Sequence, residues 1–257
     1  MENAAKRPLP KVVAEFDRNK FIEGFSPGKH IATSLSIAGP LLLGAFALST
    51  LASALDWLFV IPFYLVANFV EWTFHKNPMH HPKDFPPGAR VLYVNHSLVH
   101  HRAFLHNTMP IRNTKELGLI LMPWYTMLML LVMGLPAALL GWALRGPGVV
   151  GIFYVTGLLY YMSYEVLHGM YHTDEATQRR YGLWNNKFFQ FLLAHHAHHH
   201  RLDRMSKVNF NVTLPVADYV MGTRETPELA ADEAETAETW ERGLDDKERE
   251  TVASAKV

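Results

Sequence analysis

The sequence contains no cysteine. That absence excludes disulfides, thiolate metal sites, iron–sulfur clusters and a cysteine nucleophile. Net charge is absent too, 24 basic side chains balancing 24 acidic ones, so nothing points to nucleic acid as a partner. Charge is also missing from long interior stretches. Ile31 to Leu51 and Leu117 to Leu144 carry none, and each reaches the roughly 20 residues that cross a bilayer as a helix. Leu55 to Phe74 has only Asp56 and Glu71, near its ends, and Val149 to Tyr164 is again uncharged.

These four stretches predict an all-α integral membrane protein with four transmembrane helices and a histidine-rich helical cap. Pro40, Pro123 and Pro136 are the expected bends, and Arg145-Gly146-Pro147-Gly148 is a turn signal. Residues 1–30 form a polar leader, 31–223 the membrane-embedded domain with its cap, and 224–257 an acidic tail expected to be disordered or a loose solvent helix. Basic residues are spread through the leader before any apolar run, unlike a cleavable signal, so the first span is expected to be retained. The leader and the 75–115 region each carry six Lys or Arg, against Arg145 alone in the two opposite loops. By the positive-inside tendency, leader and cap lie in the cytosol. The C-terminus, Ala253-Ser254-Ala255-Lys256-Val257, shows no retrieval signal. That favours a bacterial inner membrane over the endoplasmic reticulum.

What the chain has in abundance is histidine, fifteen in all. Apart from His30, they fall between His75 and His200 in four short groups separated by apolar segments. Each imidazole brings a donor and an acceptor that need partners if buried, so five rings in the six positions 195–200 are not ordinary core packing. His75 and His80 are five apart, about 500° on a straight helix, but Pro78 favours a helix end that turns His80 back. His96 and His100 are four apart and share a face, with His101 rotated towards a different ion. His168 and His172 are another such pair. In the last group, His196, His199 and His200 compete with His195, His198 and His199. Neutral imidazole suits zinc, iron or copper; one zinc needs only three or four ligands, so ten histidines suggest two metals with about five each. His30, His81 and His106 are expected at the surface or behind the ligands. Glu71, four before His75, and Glu165, three before His168, are placed to orient ligand rings.

These residues resemble the fatty acid hydroxylase/sterol desaturase superfamily of integral-membrane di-metal oxygenases, and within it the fatty acid 2-hydroxylase branch most closely. Glu71-Trp72-Thr73-Phe74-His75 through His80 is similar to that branch's first box, and Tyr164-Glu165-Val166-Leu167-His168 through His172 to its third. Asn209-Phe210-Asn211-Val212-Thr213, with Asp218 and Gly222-Thr223, resembles the segment closing the catalytic domain. The second box differs, with three residues before its His pair where the branch usually has two. Ala217 stands where the family commonly has Trp.

The resemblance implies metal ligands at His75, His80, His96, His100, His101, His168, His172, His196, His199 and His200. Glu71, Glu165, His195 and Asn209 would stand behind them. It also implies two iron ions, with zinc able to replace them in purified protein, and O2-dependent hydroxylation of a lipid. No fused cytochrome b5 domain is visible, so a separate electron donor of cytochrome b5 or ferredoxin type is implied. His196 is preferred to His195 because it shares a helix face with His200. Rival readings are a desaturase or a sterol or carotenoid oxygenase on the same scaffold, and a metal-transporting or metal-storing membrane protein.

Overall fold

A computed structural model describes residues 16–82, 90–227, 232–244, 246 and 248–249. The first half of the leader, residues 83–89 of the cap and the extreme C-terminus lie outside these. Among the described residues the fold is entirely helical.

Helix α1 (Pro27–Ser49) starts where the Ser26 hydroxyl accepts the Lys29 N–H and Pro27 supplies a fixed first-turn φ. It runs through Pro40 without ending. A tight 3₁₀ segment (Ala54–Phe59) leads into α2 (Val60–Lys76). The expected third span is divided: a 3₁₀ turn, Thr114–Leu119, precedes α4 (Tyr125–Met133) and α5 (Leu135–Arg145), which meet at 46°. Pro136 at the second position of α5 lacks the N–H and crowds the preceding carbonyl that a continuous helix would need. Helix α6 (Pro147–Tyr171) returns to the end where α2 finishes. Among the described residues, three helices are therefore long and apolar enough to cross a membrane, or four if the bent pair counts as one span.

Their outer faces are apolar: Leu43, Leu55, Ile61, Val132, Leu140 and Leu144 are all more than 60% exposed. Such a continuous apolar surface suits lipid rather than water. Inside the bundle, α1 and α6 come into backbone contact. A Cβ on Gly151 would lie 2.2 Å from the Ser49 nitrogen, and one on Gly148 would lie 2.3 Å from the Ala52 nitrogen. Small residues allow this approach, which is how helices associate where lipid removes the hydrophobic drive. Gly151→Ala should therefore cost about 1–3 kcal/mol, since backbone rather than a side-chain tip must yield. Denaturation in mixed detergent micelles, compared with Gly157→Ala where nothing lies within 4 Å, measures it; equal midpoints would contradict the packing.

The cap sits at the shared end of α2 and α6. Its first helix, α3 (residues 90–103), has regular ends, Arg90–Tyr93 and His101–Ala103, around a π-helical middle, Val94–His100. Two short helices, α7 (Glu175–Arg180) and α8 (Lys187–His199), follow α6; α8 is capped by the Asn186 side chain. A turn of helix, α9 (Val216–Val220), closes the loop after the last histidines.

Both ends of the described chain pack against the cap. The end of the leader is part of the core: Phe16, Phe21 and Ile22 pack on Val99, Ala103 and Phe104, and Arg18 pairs with the buried Glu116 at 3.1 Å. The tail is not disordered over its described part. Helix α10 (Glu233–Gly243) lays Ala237 and Trp240, with Leu244 just beyond it, on Tyr93, Leu98, Leu105, Leu202 and Met205. Burying one large aromatic ring anchors a segment whose composition alone looks too polar to fold.

Candidate metal centre

The cap gathers ten of the histidines into two groups. His75, His80, His96, His101 and His199 form one; His100, His168, His172, His196 and His200 form the other. Within each, one ring nitrogen per residue lies within 4.8 Å of all the others. Ligands of one ion at the roughly 2.0–2.1 Å of a metal–imidazole bond lie at most about 4.2 Å apart, so each group needs only a small contraction to close on an ion. Both groups are buried throughout.

Local chain geometry explains the partition. After Lys76 the chain tightens, the Met79 N–H reaching the Phe74 carbonyl, and the His75 and His80 rings come to 5.2 Å, nearly parallel. In α3 the π-helical winding makes the His101 N–H bond to the His96 carbonyl. Residues five apart then share a face, so His96 pairs with His101, their Nε2 atoms 3.2 Å apart, and His100 turns to the other group. The expected His96–His100 pairing is therefore corrected by one residue. In α8 the ordinary spacing holds: His196 and His200 join the second group and His199 the first. His195 points away and pairs with Asp218 at 3.2 Å.

The back nitrogens fix the tautomers of these rings. His100 and His200 donate Nδ1–H to the carbonyls of Leu119 and Phe104, at 2.8 and 2.6 Å. A carbonyl can only accept, so in the neutral rings both Nε2 atoms are bare lone pairs, and they face each other at 3.2 Å. The same conflict appears in the first group. His199 donates to the Val208 carbonyl, and the Ser97 hydroxyl, spending its proton on the Met79 carbonyl, accepts from His80 Nδ1–H. The His80 and His199 Nε2 lone pairs then meet at 3.1 Å. His172 donates to the Met109 carbonyl while its buried Nε2 has no partner. Opposed lone pairs in a dry interior repel, and a cation between them resolves the conflict in each group. The residues present fit a metal pair.

Protons do not fill that role readily. Loss of hydration, with neighbouring rings adding to it, pushes His80, His96, His100, His101, His196, His199 and His200 well below the ordinary histidine value, and burial lowers His172 to about 3. An unfolded chain takes up protons near pH 6.5 that the folded chain refuses. Stability from this source is therefore complete above about pH 6.5 and lost as pH falls, at up to about 1.4 kcal/mol per pH unit for each histidine. Chelator-treated protein should show a steep fall in thermal stability between about pH 6.5 and 4. A flat melting profile across that window would contradict the burial of neutral rings.

The carboxylates expected behind the ligands act differently. Glu71 accepts from the Val212 and Thr213 N–H groups and from the Thr213 and Tyr160 hydroxyls, not from His75. His75 Nδ1 instead donates to the Phe210 carbonyl. Glu165 accepts from the Met122 N–H, at 3.2 and 3.3 Å, and leaves the His168 Nδ1 without a partner. Asn209, at φ 58°, ties the His195 carbonyl to the Glu225 backbone and so holds the loop. His81 bonds the Ser206 carbonyl, His30 lies against Phe25, and His106 is buried. Ser97 and the five carbonyl acceptors went unseen in the sequence, since a main-chain oxygen has no residue signature.

A cavity reaches the centre. It has a volume of about 330 Å³ and runs between α2, the bent α4–α5 pair and α6, from Phe63 and Phe153 at one end to His75, Met79 and Tyr164 at the other. Its walls are overwhelmingly apolar.

No protein-family model matches the chain, and no curated protein does. Its fold is similar to a solved structure described as full-length scs7p with only the hydroxylase domain visible. The match has a TM-score of 0.52 and 18% identity, and covers 76% of this chain and 66% of that one. At that identity the likeness is one of fold.

Proposed function

We propose that this protein is a membrane-embedded, O2-dependent lipid hydroxylase whose metal pair, two iron ions, is held by the ten clustered histidines. The observation that carries the reading is the groove: an apolar slot within the bundle ends at His75, one of the first five-histidine group. A lipid chain could slide from the bilayer to the histidines without crossing water. The similar fold of a hydroxylase domain supports the same reaction class.

When bound, iron supplies the activation of O2: one oxygen atom enters a C–H bond, and the other leaves as water with two electrons and two protons. The chain's own part is to hold, orient and dry. Carbonyls of Phe210, Leu119, Met109, Val208 and Phe104 fix the ring protons at Nδ1 and aim Nε2 inward. The apolar groove walls exclude water from the reacting carbon. Electrons come from a separate donor of cytochrome b5 or ferredoxin type, and the cap faces the cytosol. Transporters place ionisable ligands near the middle of their spans. Here the clustered histidines sit at the cap end of α2 and α6, which favours catalysis over transport.

The test is to load purified protein with iron, add a reductant chain, lipid and ¹⁸O2, and analyse products by mass spectrometry. One incorporated label per product is expected. A product short of two hydrogens with no label assigns desaturation instead, and iron-loaded protein that makes neither overturns the reading.

A further inference from the structure

The groove has a far end as well as a reactive one. Along α2 the lining runs from Phe63 through Ala67 and Val70 to His75, about 18 Å at the helical rise of 1.5 Å per residue. A cavity of 330 Å³ is at the low end of the roughly 300–1,000 Å³ of ligand sites. Drawn out over that length it is slender, suited to one extended chain rather than a fused ring system.

Two aromatic rings stand at the far end. Phe63 and Phe153 meet edge to face at 5.2 Å. Phe153 also presses on the break between α4 and α5, where a Cβ on Gly134 would come within 2.9 Å of its ring. Phe153 is thus pinned from two sides. One helical turn nearer the histidines, Gly157 lines the groove on the same face of α6, and nothing lies within 4 Å of where its Cβ would be. That opening is groove volume. Phe153 is a floor and Gly157 is the missing side chain that leaves the floor reachable.

We propose that Gly157 and the Phe63–Phe153 pair gauge substrate length, so that the protein takes an unbranched acyl chain whose methyl end rests against Phe153. This rests on the groove being the substrate site of the hydroxylase reading. A leucine at 157 would raise the floor by about 6 Å, and an alanine at 153 would lower it. Each methylene excluded should weaken binding about fourfold, the factor for losing one buried CH2.

The experiment uses the metal-loaded protein in lipid nanodiscs. A series of straight-chain fatty acids, from medium to very long, competes with a fluorescent fatty-acid probe, and metal content is measured alongside. Gly157→Leu should lose affinity for the longer acids by on the order of tenfold or more relative to the medium ones. Phe153→Ala should shift the preference towards longer acids. Opposite shifts cannot come from misfolding, and if Gly157→Leu fails to bind metal, the gain by Phe153→Ala decides alone. Unchanged length profiles, no binding of fatty acids by the unaltered protein, or competition by a sterol as strong as by a long acid would overturn the gauge. Product analysis separates the two readings. Hydroxylation with unshifted profiles removes the gauge only, whereas shifted binding without any oxygenated product removes the hydroxylase only.

Discussion

His200→Ala should remove metal from the second histidine group and reduce lipid oxidation to background, while His195→Ala, five residues away, should leave the metal content unchanged. Both rings are fully buried, His195 in the last turns of α8 and His200 just past its end, so burial alone cannot separate them. Partners do. His200 Nε2 lies 3.0 Å from His196 Nε2 and 3.2 Å from His100 Nε2, with its proton committed to the Phe104 carbonyl. His195 is engaged with the Asp218 carboxylate, which in turn accepts the Phe210 and Asn211 N–H groups. Removing His200 therefore deletes a ligand and strands a buried carbonyl, at about 1–3 kcal/mol. Removing His195 loosens a loop. Metal analysis by mass spectrometry should find about one ion per chain in the first variant and two in the second. Equal metal in both, or activity surviving in His200→Ala, would sink the assignment of that ring.

How much of this centre could be read before folding is clearest at α3 and α8. Spacing marks the four histidine groups and puts the neighbours His100 and His101 on different ions, because a 100° step per residue separates adjacent rings on any α-helix; in the last group it leaves two registers open, and the resemblance supplies His196, His199 and His200, which the structure gathers. Spacing paired His96 with His100 for the same reason, and there it missed. The π-helical middle of α3 adds a residue to the turn, and no side chain in Val94–His100 announces that. Proximity in sequence says nothing of a carboxylate's direction: Glu71 shares a helix with His75 yet reaches across to residues 212 and 213. The division of the third span was half visible, in Pro123 and Pro136. The packed α10 was not, since a single tryptophan among acidic residues shows its partner only in three dimensions.

Glu71 carries the second large expectation. Its carboxylate gathers four donors from the loop that closes the site and from α6. Asn68, one turn earlier, holds the same loop through the Leu214 carbonyl and the Ala217 N–H, at 2.7 and 2.9 Å. The loop residue between this clamp and the histidines is Phe210, whose carbonyl fixes the His75 ring. Glu71→Ala would leave two buried N–H groups and two hydroxyls without their acceptor. At about 1–3 kcal/mol each, less what water recovers, the loop should detach. The Phe210 carbonyl would drift and His75 would lose its fixed tautomer. Losses of this kind weaken metal binding by roughly 10- to 100-fold. The discriminating result is selectivity. Titration with a competing chelator should show the first group, which contains His75, losing affinity while the second, held by the Leu119, Met109 and Phe104 carbonyls, keeps it. Glu71→Gln, which keeps the shape but turns an NH2 towards donors, should fall between the two. Equal weakening of both sites would show general unfolding and refute a positioning role; no weakening of either would show that the clamp does not reach His75.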